Sequence, residues 1–148
     1  SIQGARVVGA NPIIATDTSD AALEMAVKLG ATHTINPKKV DVEKEVFKIV
    51  PHGVDHAIGA VGSVPAFLNG MNILGPGGTL IIQGYGKAQM QYKTGGPGIL
   101  ENLYDEELLL NSFKDYKIID LQTYLQDVDE GPGHSGMSSL VGFIGQKP

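Results

Sequence analysis

A chain of 148 residues is about one domain long, enough to bury roughly two thirds of its unfolded surface around a single core. With 42% apolar and 18% charged residues and a formal charge of −5, the composition is that of a packed soluble protein and lacks the basic excess that nucleic-acid binding needs. The absence of cysteine excludes disulfides, thiolate nucleophiles and sulfur-based zinc sites, and no apolar run approaches the ~20 residues of a bilayer span, so a cytoplasmic protein without a membrane partner is expected.

The opening SIQGARVVGA carries small and apolar residues at helical spacing and ends on glycine, as the tail of a helix would. Ile13, Ile14 and Ala15 form a short apolar run closing on Asp17, the pattern of a strand buried on both faces of a parallel sheet. From Asp20 to Leu29 a 3.6-residue period, with Ser19 or Asp20 as cap and Gly30 as stop, predicts a helix. His33 to Ile35 reads as a strand, and Val42, Val46, Phe47 and Ile49 mark a second helix ending before Gly53. A strand from Val54 to Val61, a helix from Pro65 to Leu74 and a strand from Thr79 to Gln83 continue the alternation.

After Gly86 the texture changes. Lys93 to Gly98 is a glycine-rich loop, Asp105 to Phe113 a helix, and Tyr116 to Tyr124 and Ser138 to Ile144 are strands with no helix between them. The fold class read from this order is α/β: a Rossmann-like, doubly wound, mostly parallel sheet lacking its first strand, with a C-terminal antiparallel strand pair at one edge. The whole chain is expected to form one domain.

A carboxylate at the end of the second strand of such a sheet can accept both ribose hydroxyl hydrogens of an adenosine, which makes Asp17 a cofactor residue; the competing role for Asp17 is to cap the following helix. The histidines (His33, His52, His56, His134) show no metal-ligand spacing, so no metal site is expected.

The segments IQGARVVGA, IIATDTS, LEMAVKLGATHTINP, GVDHAIGAVGS and MNILGPGGTLIIQGYG resemble the NAD-binding domain of zinc-type, medium-chain alcohol dehydrogenases, over residues 1 to about 86. The resemblance implies NAD as cofactor and adds Val61, Gly62 and Ser63, against adenine and its ribose, and Gly84 and Tyr85, near the nicotinamide, to Asp17. It also implies departures: the glycine fingerprint and the catalytic domain are not present, and Gly59 and Ala22 stand where the family has an acidic and a basic residue.

From PGGTLIIQGYG through QMQYKTGGPG, LYDEELLLNSFKDYKI and DVDEGPGHSGMSSLVGFIGQKP, the chain resembles the C-terminal part of class I S-adenosylmethionine-dependent methyltransferases, over residues about 76 to 148. There the loop Glu130, Gly131, Pro132, His134, Gly136 is implied to lie near the substrate mouth. His134 becomes the candidate proton acceptor, with a solvent-exposed loop histidine as the alternative.

The two resemblances divide the domain into a dehydrogenase-like part, 1–75, and a methyltransferase-like part, 76–148, joined through a PGG element common to both. The reading is an NAD-binding dehydrogenase fragment, inactive by itself; the alternatives are an S-adenosylmethionine-dependent methyltransferase and an inactive chimera. An adenosine-containing cofactor is the expected partner. The missing first strand would leave open strand edges, for which a homodimer by strand exchange is one remedy.

Overall fold

A computed structural model describes residues 1–59, 64–92, 94–129, 131 and 133–148 of the chain. They form two compact units, Ser1–Val54 and Asp55–Pro148. The strands fall into a two-stranded sheet of order β1-β2 and a four-stranded sheet of order β3-β4-β6-β5.

In the first unit the elements are α1 (Ile2–Val7), β1 (Ile14–Thr16), α2 (Asp20–Leu29), β2 (His33–Ile35) and α3 (Val42–Ile49). The helices begin where a short polar side chain can take up an orphan N–H: the Ser19 hydroxyl accepts from the Ala22 amide, and the Asp41 carboxylate from that of Lys44. Gly30, at φ +117°, ends α2 in the left-handed conformation that glycine adopts without strain. β1 and β2 pair in parallel, Ala15 opposite Thr34. Ile13, Ala26 and Ala31 form a small core against which Ile2, Ala5 and Ala15 pack. The expected strand at Ile13–Ala15 lies one residue later, and its residues are only half-buried, or exposed at Thr16, rather than buried on both faces.

The second unit contains α4 (Val64–Asn72), β4 (Leu74–Tyr85), α5 (Glu106–Ser112), β5 (Lys117–Asp129) and β6 (Ser135–Gln146), and β3 (Val54–Gly59) heads its sheet. Short 3-10 turns at Lys87–Gln91 and Leu100–Asn102 carry the chain from β4 toward α5. β6 runs antiparallel to both β4 and β5. The antiparallel pair read from the sequence is present at one edge of the sheet, with β5 outermost and β6 between it and β4. The core is aromatic and aliphatic: Phe113 lies 4.6 Å from Phe143 and 5.0 Å from Phe67 between ring centroids, and Leu80, Leu103, Leu109 and Val141 are fully buried.

Two boundaries differ from those read locally. Leu74, expected to end a helix, opens β4, and the PGG segment lies inside that strand. The cause is the far end of the chain: the Lys147 amide donates to the Gly78 carbonyl, the Gln146 side chain to that of Gly77, and the Lys147 ammonium to those of Met71 and Leu74. β5 also runs five residues past Tyr124, because β6 begins early enough, at Ser135, to pair with Asp129.

Candidate functional site

The first unit holds Asp17 in a braced loop. Its amide donates to the Ile35 carbonyl, so the residue sits at the carboxyl end of β1 as the alternation requires. One carboxylate oxygen accepts from the Ser19 amide at 2.8 Å, and the side chain is exposed. The loop is fastened from β2: buried Asn36 donates to the Thr18 carbonyl and to the Asp20 carboxylate at 2.8 Å, and accepts from the Lys38 amide. Lys39 closes the cluster on Asp20 at 2.7 Å. These two hydrogen bonds, first from Lys39 and then from Asn36, hold the Asp20 carboxyl below the usual aspartate range. Asn36 was not singled out from the sequence, although its place directly after a short strand is a position from which a side-chain amide can bridge loops.

Asp17 therefore braces the turn before α2, whose cap is Ser19, and keeps acceptor capacity besides, since an ionised carboxylate offers about four lone-pair sites.

The second unit gathers its polar groups at the end of β4. The Tyr85 hydroxyl lies 2.9 Å from His134 Nδ1, with the rings inclined by 24°. The sequence named both residues but gave no reason to pair them, because 49 positions separate them. The glycine loop holds them together: a Cβ on Gly95 would fall 2.8 Å from His134 Nδ1, and one on Gly96 2.8 Å from the Tyr85 ring. Gln89, buried in the 3-10 turn after β4, donates to the Thr94 hydroxyl and the Gly95 carbonyl and accepts from the Ser139 amide at 2.7 Å. Thr94 in turn donates to the Met137 carbonyl at 2.6 Å, which fixes the loop to the start of β6. Gln89, Thr94 and Ser139 were not read as site residues; the KTGGPG run was the only local sign of the clasp.

In the tautomer whose Nδ1–H donates to the tyrosine oxygen, Nε2 carries the lone pair that a proton acceptor needs; in the other, the tyrosine hydroxyl donates to Nδ1. The space beside Gly84, expected to admit a ligand, holds the Tyr104 ring, whose nearest carbon would lie 2.5 Å from an added Cβ. Burial pushes the Tyr104 phenol above its ordinary range. Val61, Gly62 and Ser63, and Glu130 and Pro132 of the His134 loop, lie outside the described residues.

Among the described residues, no group of three or more His, Cys, Asp or Glu side chains is placed to hold a metal ion. No helix among them is long and apolar enough to cross a membrane.

The sequence model of the zinc-binding dehydrogenase family matches residues 1–117. An alcohol dehydrogenase of Cupriavidus necator is 45% identical over 78 residues, covering 52% of this chain and 21% of the relative. Among solved structures, benzyl alcohol dehydrogenase from Acinetobacter calcoaceticus is 32% identical with a TM-score of 0.54, over 75% of this chain and 28% of that one. A SAM-dependent methyltransferase from Anabaena variabilis superposes on 96% of this chain and 70% of its own, with a TM-score of 0.62 at 16% identity, which speaks for a common Rossmann-like fold alone. The chain spans about a fifth to a quarter of the length of the curated relatives it matches, 21% and 26% in two cases.

Proposed function

Because this chain belongs to the zinc-binding dehydrogenase family, we propose that it is a nicotinamide-cofactor-binding part of a dehydrogenase, with Asp17 receiving the adenosine ribose of NAD. The observation that carries this is an exposed carboxylate at the carboxyl end of β1, in a loop braced by Asn36, inside the stretch that the family model covers. Such a carboxylate accepts the ribose hydroxyl hydrogens and repels a 2′-phosphate, so NAD is favoured over NADP. NAD, when bound, supplies the hydride-accepting ring; what this chain contributes is ribose binding and selectivity.

The family's zinc finds no donor set among the described residues, and the chain has no cysteine. Zinc-dependent alcohol oxidation by these 148 residues alone is therefore not expected.

Calorimetric titration with NAD tests the proposal. Asp17→Ala should weaken binding by about 1.5–3 kcal/mol, the loss of charge-assisted hydrogen bonds. Asp17→Asn keeps an acceptor for the Ser19 amide and so separates the ribose role from the loop cap. Unchanged affinity in both variants removes Asp17 from the site.

A second reading rests on β6 inserted antiparallel between β4 and β5, together with the superposition on the methyltransferase. Under it the cofactor would be S-adenosylmethionine, which would supply a transferable methyl group, and His134 would accept the proton released by the substrate nucleophile. Binding of S-adenosylhomocysteine without binding of NAD would favour this reading over the first.

A further inference from the structure

We propose that Asn36 is a positioning residue for the adenosine end of the site: resting on Asp17 as the ribose residue, it sets the preference for a ribose that carries a 2′-hydroxyl without itself touching the cofactor. β1 and β2 end together, Thr16 opposite Ile35, so that Asp17 and Asn36 are the next residues of the two strands. Three points of the loop from Asp17 to Asp20 are tied to this end of β2. The Asp17 amide donates to the Ile35 carbonyl at 3.3 Å, and Asn36 Nδ2 donates to the Thr18 carbonyl at 3.3 Å and to Asp20 Oδ1 at 2.8 Å. Asn36 Oδ1 accepts from the Lys38 amide at 3.0 Å, which fixes the side chain end for end. Turned over, its oxygen would face a carbonyl and a carboxylate, and its NH2 group a backbone N–H.

Burial decides which of these ties matters. Asn36 is 8% exposed, so water cannot readily replace its partners when the amide is removed. Lys39 also holds Asp20, at 2.7 Å, but both side chains are more than half exposed and a screened pair of this kind contributes little. The backbone of Asn36 is fixed in turn, its carbonyl accepting from the amides of Lys39 and Val40. Asp17 Oδ1 accepts from the Ser19 amide, and Oδ2 has no partner among the described residues. Because Asp17 and Ser19 flank Thr18, the direction of the carboxylate follows the backbone that Asn36 clamps at Thr18. Accepting from two adjacent hydroxyls requires that direction to be set before the ligand arrives. A loose loop would have to be ordered on binding, and the cost would come off the affinity for the diol.

Calorimetric titration of the 148-residue chain with NAD, and with the NAD analogue that lacks the adenosine 2′-hydroxyl, tests this. The parent should bind NAD about tenfold more tightly than the analogue, the worth of one charge-assisted hydrogen bond. Asn36→Ala should cut that preference to about twofold, because the carboxylate is no longer held toward the diol. A merely structural loss would weaken both ligands alike and leave the preference intact, and that result overturns the proposal. In a chain that already carries Asp17→Ala, adding Asn36→Ala should change NAD affinity no further; a second full loss would mean that Asn36 acts elsewhere. Asp20→Ala, at an exposed residue, removes one acceptor of the same amide and should also lower the preference. It decides the matter where Asn36→Ala fails to fold, an undiminished preference overturning the proposal. A parent that does not bind NAD, or binds both ligands alike, overturns the ribose role of Asp17 and this proposal together. A parent that shows the preference, beside an Asn36→Ala chain that keeps it, overturns this proposal alone.

Discussion

Glycine 96 sits at φ +81°, and the place where its Cβ would stand is taken by the Tyr85 ring. Both facts make it intolerant of a side chain, one through the backbone and one through packing. Gly96→Ala should therefore cost about 1–3 kcal/mol and loosen the contact between Tyr85 and His134. Denaturant unfolding measures the first effect, and the histidine ring resonances in an NMR spectrum report the second. A variant as stable as the parent, with unmoved His134 signals, would show that the glycine loop does not clasp the pair. Gly84 belongs to the same scale: a small residue at a strand end is equally suited to admit a ligand or an aromatic ring, and here Tyr104, from a segment 20 positions later, stands beside it.

Helix starts were legible because a cap is a contact between residues two or three apart. α5 illustrates it: the Asp105 carboxylate accepts from the Leu108 amide at 2.6 Å and pairs with Lys87. The Lys87 hydrogen bond, followed by that from Leu108, holds the Asp105 carboxyl below its ordinary range. A carboxyl depressed in the folded state stabilises at pH above its unfolded value and loses that contribution as pH falls through the folded one, so the effect fades below about pH 4. Asp105→Ala should cost about 1 kcal/mol at neutral pH, a capping value in which the solvent-screened ion pair counts for little. The difference from the parent should shrink in acid. A deficit equally large at pH 3 and pH 7 by urea denaturation would mean that the carboxylate charge plays no part. Strand ends were less legible than helix caps, since β4 and β5 are extended by partners whose residues lie far along the chain.

At the scale of the molecule, the two units are built on unequal sheets. The first rests on two strands of three residues each, the second on strands of 12, 13 and 12 residues in β4, β5 and β6. A two-stranded sheet closes few backbone hydrogen bonds and is marginal by itself, so the amides of β1 and β2 should exchange faster than those of β6, which is paired on both sides. Native-state hydrogen exchange checks this, and equal protection in the two sheets would refute it. What the sequence determined by itself is the set of elements with short-range causes. The span Asp20–Leu29 follows from its apolar period and Gly30, Val42–Ile49 from its apolar spacing, and Asp17 stands at a strand end because a helix and a parallel partner follow in order. The tertiary structure alone decided which strand is interior, where β4 begins and what stands beside Tyr85. Each of those depends on backbone or side-chain partners tens of residues away, and local periodicity carries no record of them.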